Sequence, residues 1–217
     1  MNIVIQCAAS KSSDAGFLLD SQNRRVMFVA DPGLAPHADN IRYAKPDDNA
    51  GAKSWRELLV SYNENPQQNQ LGLLPAYRLY RNEAYSSLVE HFGLAKVFIL
   101  SAGWGLINAN FLTPYYDITF SASAEKFKRR RKNDRYNDFS QLPISSTEEL
   151  IFFGGKDYIP LFHTLSQEYR GTRYIPYSSK APPQVPNCQL VKYETKTRTN
   201  WHYECVRAYL EGRFAIY

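Results

Sequence analysis

Residues Lys96–Ser121 read KVFILSAGWGLINANFLTPYYDITFS, and the start of this stretch decides the fold. Val97-Phe98-Ile99-Leu100 is an unbroken apolar run, the pattern of a strand buried on both faces by covering helices. It ends at Ser101 and passes into Ala102-Gly103-Trp104-Gly105-Leu106, which reads as an open, glycine-punctuated loop. That loop leads on to Pro114-Tyr115-Tyr116-Asp117. In open α/β sheets, ligands lie beyond the carboxyl ends of the strands. Small residues, aromatics and one carboxylate after such a strand therefore mark the first place to look for function.

Working outward, Asn2–Cys7 reads as a first, central strand, breaking into the small polar turn Ala8–Ser13. Val26–Val29 reads as a second strand, followed by a long Pro/Asp/Asn-rich loop over 31–53. A helix is expected from Ser54. A second, started by Pro75, carries Tyr77, Tyr80, Ala84, Leu88 and Phe92 on one face and stops at Gly93. Further strands are expected at Glu149–Phe153, Arg173–Tyr177 and Gln189–Tyr193. Helices are expected over Asp157–Arg170 and around Trp201–Tyr209. Strands alternating with helices predict one α/β domain over 1–217, with a mostly parallel central sheet flanked by helices. Segment 124–140 reads as an insertion or DNA-contacting element.

The 217 residues are 44% hydrophobic and 14% aromatic, enough for a full core and against disorder. Three cysteines, an odd number without metal-type spacing, suit a reducing cytoplasm. No run approaches the roughly 20 apolar residues of a membrane span. No cofactor or metal motif is present, and none is expected. Net charge is +5; residues 1–100 carry ten charges of each sign, so the excess lies in 101–217. Its densest part is KFKRRRKNDR, where Lys126, Lys128, Arg129, Arg130, Arg131, Lys132 and Arg135 are candidates for the DNA backbone. Lys156, in the strand-to-helix turn Gly154-Gly155-Lys156, joins them, although that turn lacks the spacing of a nucleoside-triphosphate loop.

Candidate chemistry centres on Asp117, a carboxylate among aromatics able to stabilise a cationic sugar or orient water; the rival reading is a turn aspartate bonding its own backbone. Ser101 and Lys11 should emerge on the same sheet edge, Lys11 to hold a phosphate or a developing anion. Cys7 and Ser10 belong to that edge too, although Cys7 reads as buried rather than nucleophilic. Trp104, Tyr115 and Tyr116, around Gly105, are placed to sandwich a base whose edge Asn108 or Asn110 would read. Core packing is the competing reading of each.

These residues resemble a bacterial and phage family of uncharacterised domains similar to the peroxide-stress protein YaaA. The likeness runs through Cys7, Ser10, Lys11, Leu79-Tyr80, Ile99–Ala102, Gly105-Leu106 and Tyr115 or Tyr116 with Asp117. It covers about the first 120 residues, with GGKDYIPLF as an extension. Two departures stand out: an extra alanine after Cys7 and a second tyrosine between Pro114 and Asp117. The resemblance implies DNA binding and base-excision or base-exchange chemistry, in defence against phage with modified DNA. The expected function is thus a DNA glycosylase-like hydrolase with DNA as partner. The alternatives are a non-enzymatic nucleic-acid-binding stress protein, and a nucleoside hydrolase or deoxyribosyltransferase on free nucleosides.

Overall fold

A computed structural model describes residues 1–216. In chain order its strands are β1 (Asn2–Gln6), β2 (Arg25–Phe28), β3 (Ile41–Ala44), β4 (Leu74–Pro75), β5 (Val97–Ser101), β6 (Gly105–Asn108), β7 (Leu112–Thr113), β8 (Phe139–Ser140), β9 (Leu150–Phe153), β10 (Arg173–Tyr177) and β11 (Gln189–Lys192). The helices are α1 (Trp55–Asn63), α2 (Ala76–Leu79), α3 (Glu83–Phe92), α4 (Ile159–Ser166) and α5 (Trp201–Leu210). Seven strands form one sheet in the order β11-β10-β9-β1-β5-β6-β8. The fold is α/β, and β1 lies at the centre of the sheet. Its neighbours β5 and β9 both run parallel to it, with Ile3 opposite Val97 and Ile151. Ile3, Val4, Ile5, Ile99, Leu100 and Phe152 are wholly buried, as the apolar runs require. Helices α3 and α5 pack on each other and over β1, β5 and β9, while α4 lies against β6 and β8.

Local chemistry sets the helix ends. Ser54 caps α1 in a reciprocal box with Glu57. Gly93, at φ +81°, ends α3 in a conformation that suits glycine. No helix among the described residues is long and apolar enough to cross a membrane.

Three expectations need correction. β2 does not join the main sheet; it pairs in parallel with β3, inside the stretch read as loop. The helix expected from Pro75 to Phe92 is broken at Tyr80-Arg81-Asn82. There the Lys11 segment bridges to Tyr80, Ser12 N–H donates to Leu79 O and Arg81 N–H to Ser10 O. Asn82 then caps α3 afresh, its side chain accepting from Ala84 N–H. Finally, the glycine loop after β5 is a tight hairpin: β6 returns antiparallel, with Ser101 paired to Gly105.

Candidate functional site

Strands β1 and β9 point their carboxyl ends at one edge, so the loops after them meet. Gly155 N–H donates to Gln6 Oε1 at 2.6 Å and ties the two together. Over this junction lies a cleft of about 500 Å³. Its walls are residues 6–10, Arg81 and Asn82 from the helix break, Thr119–Ala122, Gly155, Asp157 and Tyr158 after β9, Asn200 just before α5 and Tyr203 within it. Cys7 and Ser10 are thus part of the cleft. Phe120 stands edge-on to Tyr158, their centroids 5.0 Å apart.

Behind the cleft is a hydrogen-bonded array. Cys7 Sγ lies 3.2 Å from the Tyr158 hydroxyl. The Tyr80 and Tyr116 hydroxyls are 2.8 Å apart, and Ser101 Oγ donates to Tyr116 at 2.8 Å. Ser101 Oγ also accepts from the N–H groups of Gly103 and Trp104, so it pins the hairpin turn. Tyr85 bridges Gln6 O and the Tyr203 hydroxyl. Burial pushes Tyr80, Tyr116 and Tyr158 well above the usual phenol range, which keeps them neutral. Lys11 is buried too, its ammonium 4.3 Å from the Tyr116 ring centre and bonded to Ala9 O at 3.3 Å. Burial lowers its pKa; Cys7 and Asp117 act against that, and Lys128 adds to it.

Lys11 and Ser101 therefore meet through Tyr116, but behind the cleft and not in its lining. Asp117 is close enough to Lys11 to act on its charge, yet it is held elsewhere. Its carboxylate lies 2.9 Å from Lys128 Nζ, which also reaches Glu125 at 2.6 Å. The Glu125 and Asp117 carboxylates hold the Lys128 ammonium well above the ordinary lysine range.

The expected base sandwich is corrected by the hairpin. Trp104 is wholly buried, stacked on Phe139 (6.4 Å, 12°) and edge-on to Phe28 (4.9 Å). Tyr116 is wholly buried as well, and Tyr115 packs on Phe17. Gly105 sits at φ +88° where a Cβ would come within 2.6 Å of the Phe139 backbone, so glycine serves the approach of β8. Asn108 and Asn110 lie at the far end of the hairpin, because the returning strand sets Asn108 opposite Phe98. Asn108 Nδ2 donates to Leu94 O and its Oδ1 accepts from Asn110 N–H; both residues build a turn there.

The basic run divides as well. Arg130 is largely buried, donating to Asp138 and to Ala102 O at 2.9 Å each, so although it touches the wall of the basic cavity its guanidinium is committed within the fold. Lys128 is committed to Asp117 and Glu125, and Lys132 pairs with Asp157 at 3.2 Å. Lys126, Arg129, Arg131 and Arg135, with Lys45 and Tyr136, line a second cavity of about 840 Å³, which also contains Asp31, Asp47 and Asp134. Phe120 and Ala122 belong to both cavities. Lys156 is exposed and lines neither. No cluster of His, Cys, Asp or Glu among the described residues could hold a metal ion.

Arg81, Asn82, Phe120, Asp157, Tyr158, Asn200 and Tyr203 were not signalled as site residues by the sequence. Asn82 carries a local signal, as the cap of RNEAY; the others converge only through the fold. No family model, curated protein or solved structure matches the chain.

Proposed function

We propose that the protein binds DNA along the 126–135 side and cleaves the N-glycosidic bond of a base turned out into the cleft. One observation carries this reading: a cleft large enough to admit a base, at the carboxyl edge of the sheet, adjoins across Phe120 a cavity rich in Lys and Arg. About 500 Å³ falls within the roughly 300–1,000 Å³ of small-molecule pockets. Phe120, Tyr158 and Tyr203 offer flat faces, and Gln6, Ser10, Asn82, Ser121 and Asn200 offer polar groups for a base edge. Lys126, Arg129, Arg131 and Arg135 supply cations for phosphates. The resemblance of the CAASKSS and ILSAGWGL segments to the YaaA-like family supports the same chemistry. It favours a modified base, in defence against phage DNA, as substrate. Three unpaired thiols fit a reducing cytoplasm.

The test is incubation with plain duplex DNA and with phage DNA carrying modified cytosines, followed by alkali and a denaturing gel. Alkali-labile sites on either DNA support the reading. Salt-dependent binding with no such sites favours a non-enzymatic DNA-binding protein. Release of base from free nucleosides, unaffected by neutralising Arg129 and Arg131, favours a nucleoside hydrolase or transferase.

A further inference from the structure

We infer that Asp157, not Asp117, is the carboxylate that acts on the sugar; this rests on the base-cleaving reading above. Among the described residues that line the cleft, Asp157 is the sole carboxylate. It does not line the 840 Å³ cavity, but it lines a third one, of about 640 Å³, that runs along Lys132–Asp138, shares Phe120 with the cleft and shares Arg135 and Tyr136 with the 840 Å³ cavity. A nucleotide with its base in the cleft and its phosphate toward Lys132 and Arg135 in this third cavity sets its sugar at the border between the two. Asp157 and Phe120 stand on that border. The position follows from the fold: Asp157 comes two residues after the Gly155–Gln6 tie that joins the β1 and β9 loops.

The two acids also differ in freedom. Asp157 has a single ion-pair partner, Lys132, and both side chains are about half exposed, at 44% and 55%. Such a pair is weakly held and is easily exchanged for a phosphate contact by the lysine. Asp117 lines neither cavity, and Lys128 holds it at 2.9 Å.

In the step assigned to Asp157, its carboxylate takes a proton from a water molecule as the water oxygen bonds to C1′. The C1′–N bond breaks, and its electron pair leaves with the base. The base nitrogen takes up a proton from solvent, and Asp157 later returns its own to solvent. One water is consumed and no oxidant is needed.

The test compares Asp157→Asn, Asp157→Glu and Asp117→Asn on a DNA from which wild type releases base, reading single-turnover rate and DNA binding separately. Asp157→Asn is expected to lower the rate by about 100-fold or more, with binding undiminished and partial recovery in Asp157→Glu. Asp117→Asn is expected to keep more than about a tenth of the wild-type rate, because a loss nearer the general-base range would place it in the chemistry. A rate for Asp157→Asn within tenfold of wild type overturns the assignment while leaving the base-cleaving function intact. Absence of base release by wild type itself overturns both.

Discussion

Replacing Trp104 with alanine removes the largest wholly buried side chain among the described residues. The indole fills the space between the β5–β6 hairpin and two rings, stacking on Phe139 and meeting Phe28 edge-on at 4.9 Å. Arg56 closes it from another side, donating to Trp104 O at 3.0 Å with its guanidinium 5.5 Å from the ring. The cavity left behind is hemmed by hairpin backbone that cannot collapse far, so the cost should sit within the about 3–5 kcal/mol typical of buried aromatic-to-alanine changes. At about 2–4 °C per kcal/mol for a chain of this size, the melting midpoint should fall by roughly 6–20 °C. Trp104→Phe should lose less, since it keeps most of the stacking and removes an indole N–H that has no partner. The assay is thermal unfolding followed by far-ultraviolet circular dichroism, with DNA binding measured well below the midpoint. If Trp104→Ala melts within about 2 °C of wild type but no longer binds DNA, the indole faces a ligand and the packing argument is wrong.

The ion pairs and buried charges lead to three more expected outcomes. Within the basic run, Arg130→Ala should destabilise the fold by about 3–5 kcal/mol, as removal of one partner of a buried pair does. Joint Arg129→Gln, Arg131→Gln and Arg135→Gln substitution should instead leave the midpoint unchanged and flatten the salt dependence of DNA binding by about 0.9 for each phosphate no longer neutralised; equal effects of the two changes on melting and on binding would contradict this division of the run. Lys11 has a lowered pKa in the fold, so the unfolded chain binds more protons between that value and 10.5. Stability should therefore rise with pH across this window in wild type relative to Lys11→Met, a difference that cancels the opposite tyrosine contribution; denaturant titrations showing no difference would refute it. Lys96 and the amino terminus hold Glu148 down at about 2, so its contribution is present above 4.5 and lost as pH falls toward 2. Glu148→Gln should flatten acid unfolding over that range, as read by unfolding midpoints.

The strands at the middle of the sheet were legible because each is buried on both faces. Asn2–Gln6, Val97–Leu100 and Leu150–Phe153 carry runs of three or four consecutive buried apolar side chains, which cover both faces. The hairpin was not legible. Ala-Gly-Trp-Gly suits an open loop as well as a tight turn, and what closes it is Phe139, 34 residues beyond Gly105, whose backbone sits where a Cβ would be. The helix break at Tyr80–Asn82 is equally non-local, imposed by the Lys11 segment. In the site, Cys7 and Ser10 could be placed from the end of β1 alone. The members of the basic run could not be sorted, because Arg130 differs from its neighbours through partners brought to it by the fold, Asp138 eight residues on and Ala102 O in the hairpin.

The central claim is that chemistry takes place in the cleft over Gln6–Ser10. Ala9 is exposed on its wall, so Ala9→Trp should fill the cleft without disturbing the core. Mass spectrometry of the small-molecule fraction, after incubation with modified phage DNA, should find free base with wild type and none with an Ala9→Trp protein of equal melting temperature. Equal release of free base by both proteins would place the reaction elsewhere on the molecule.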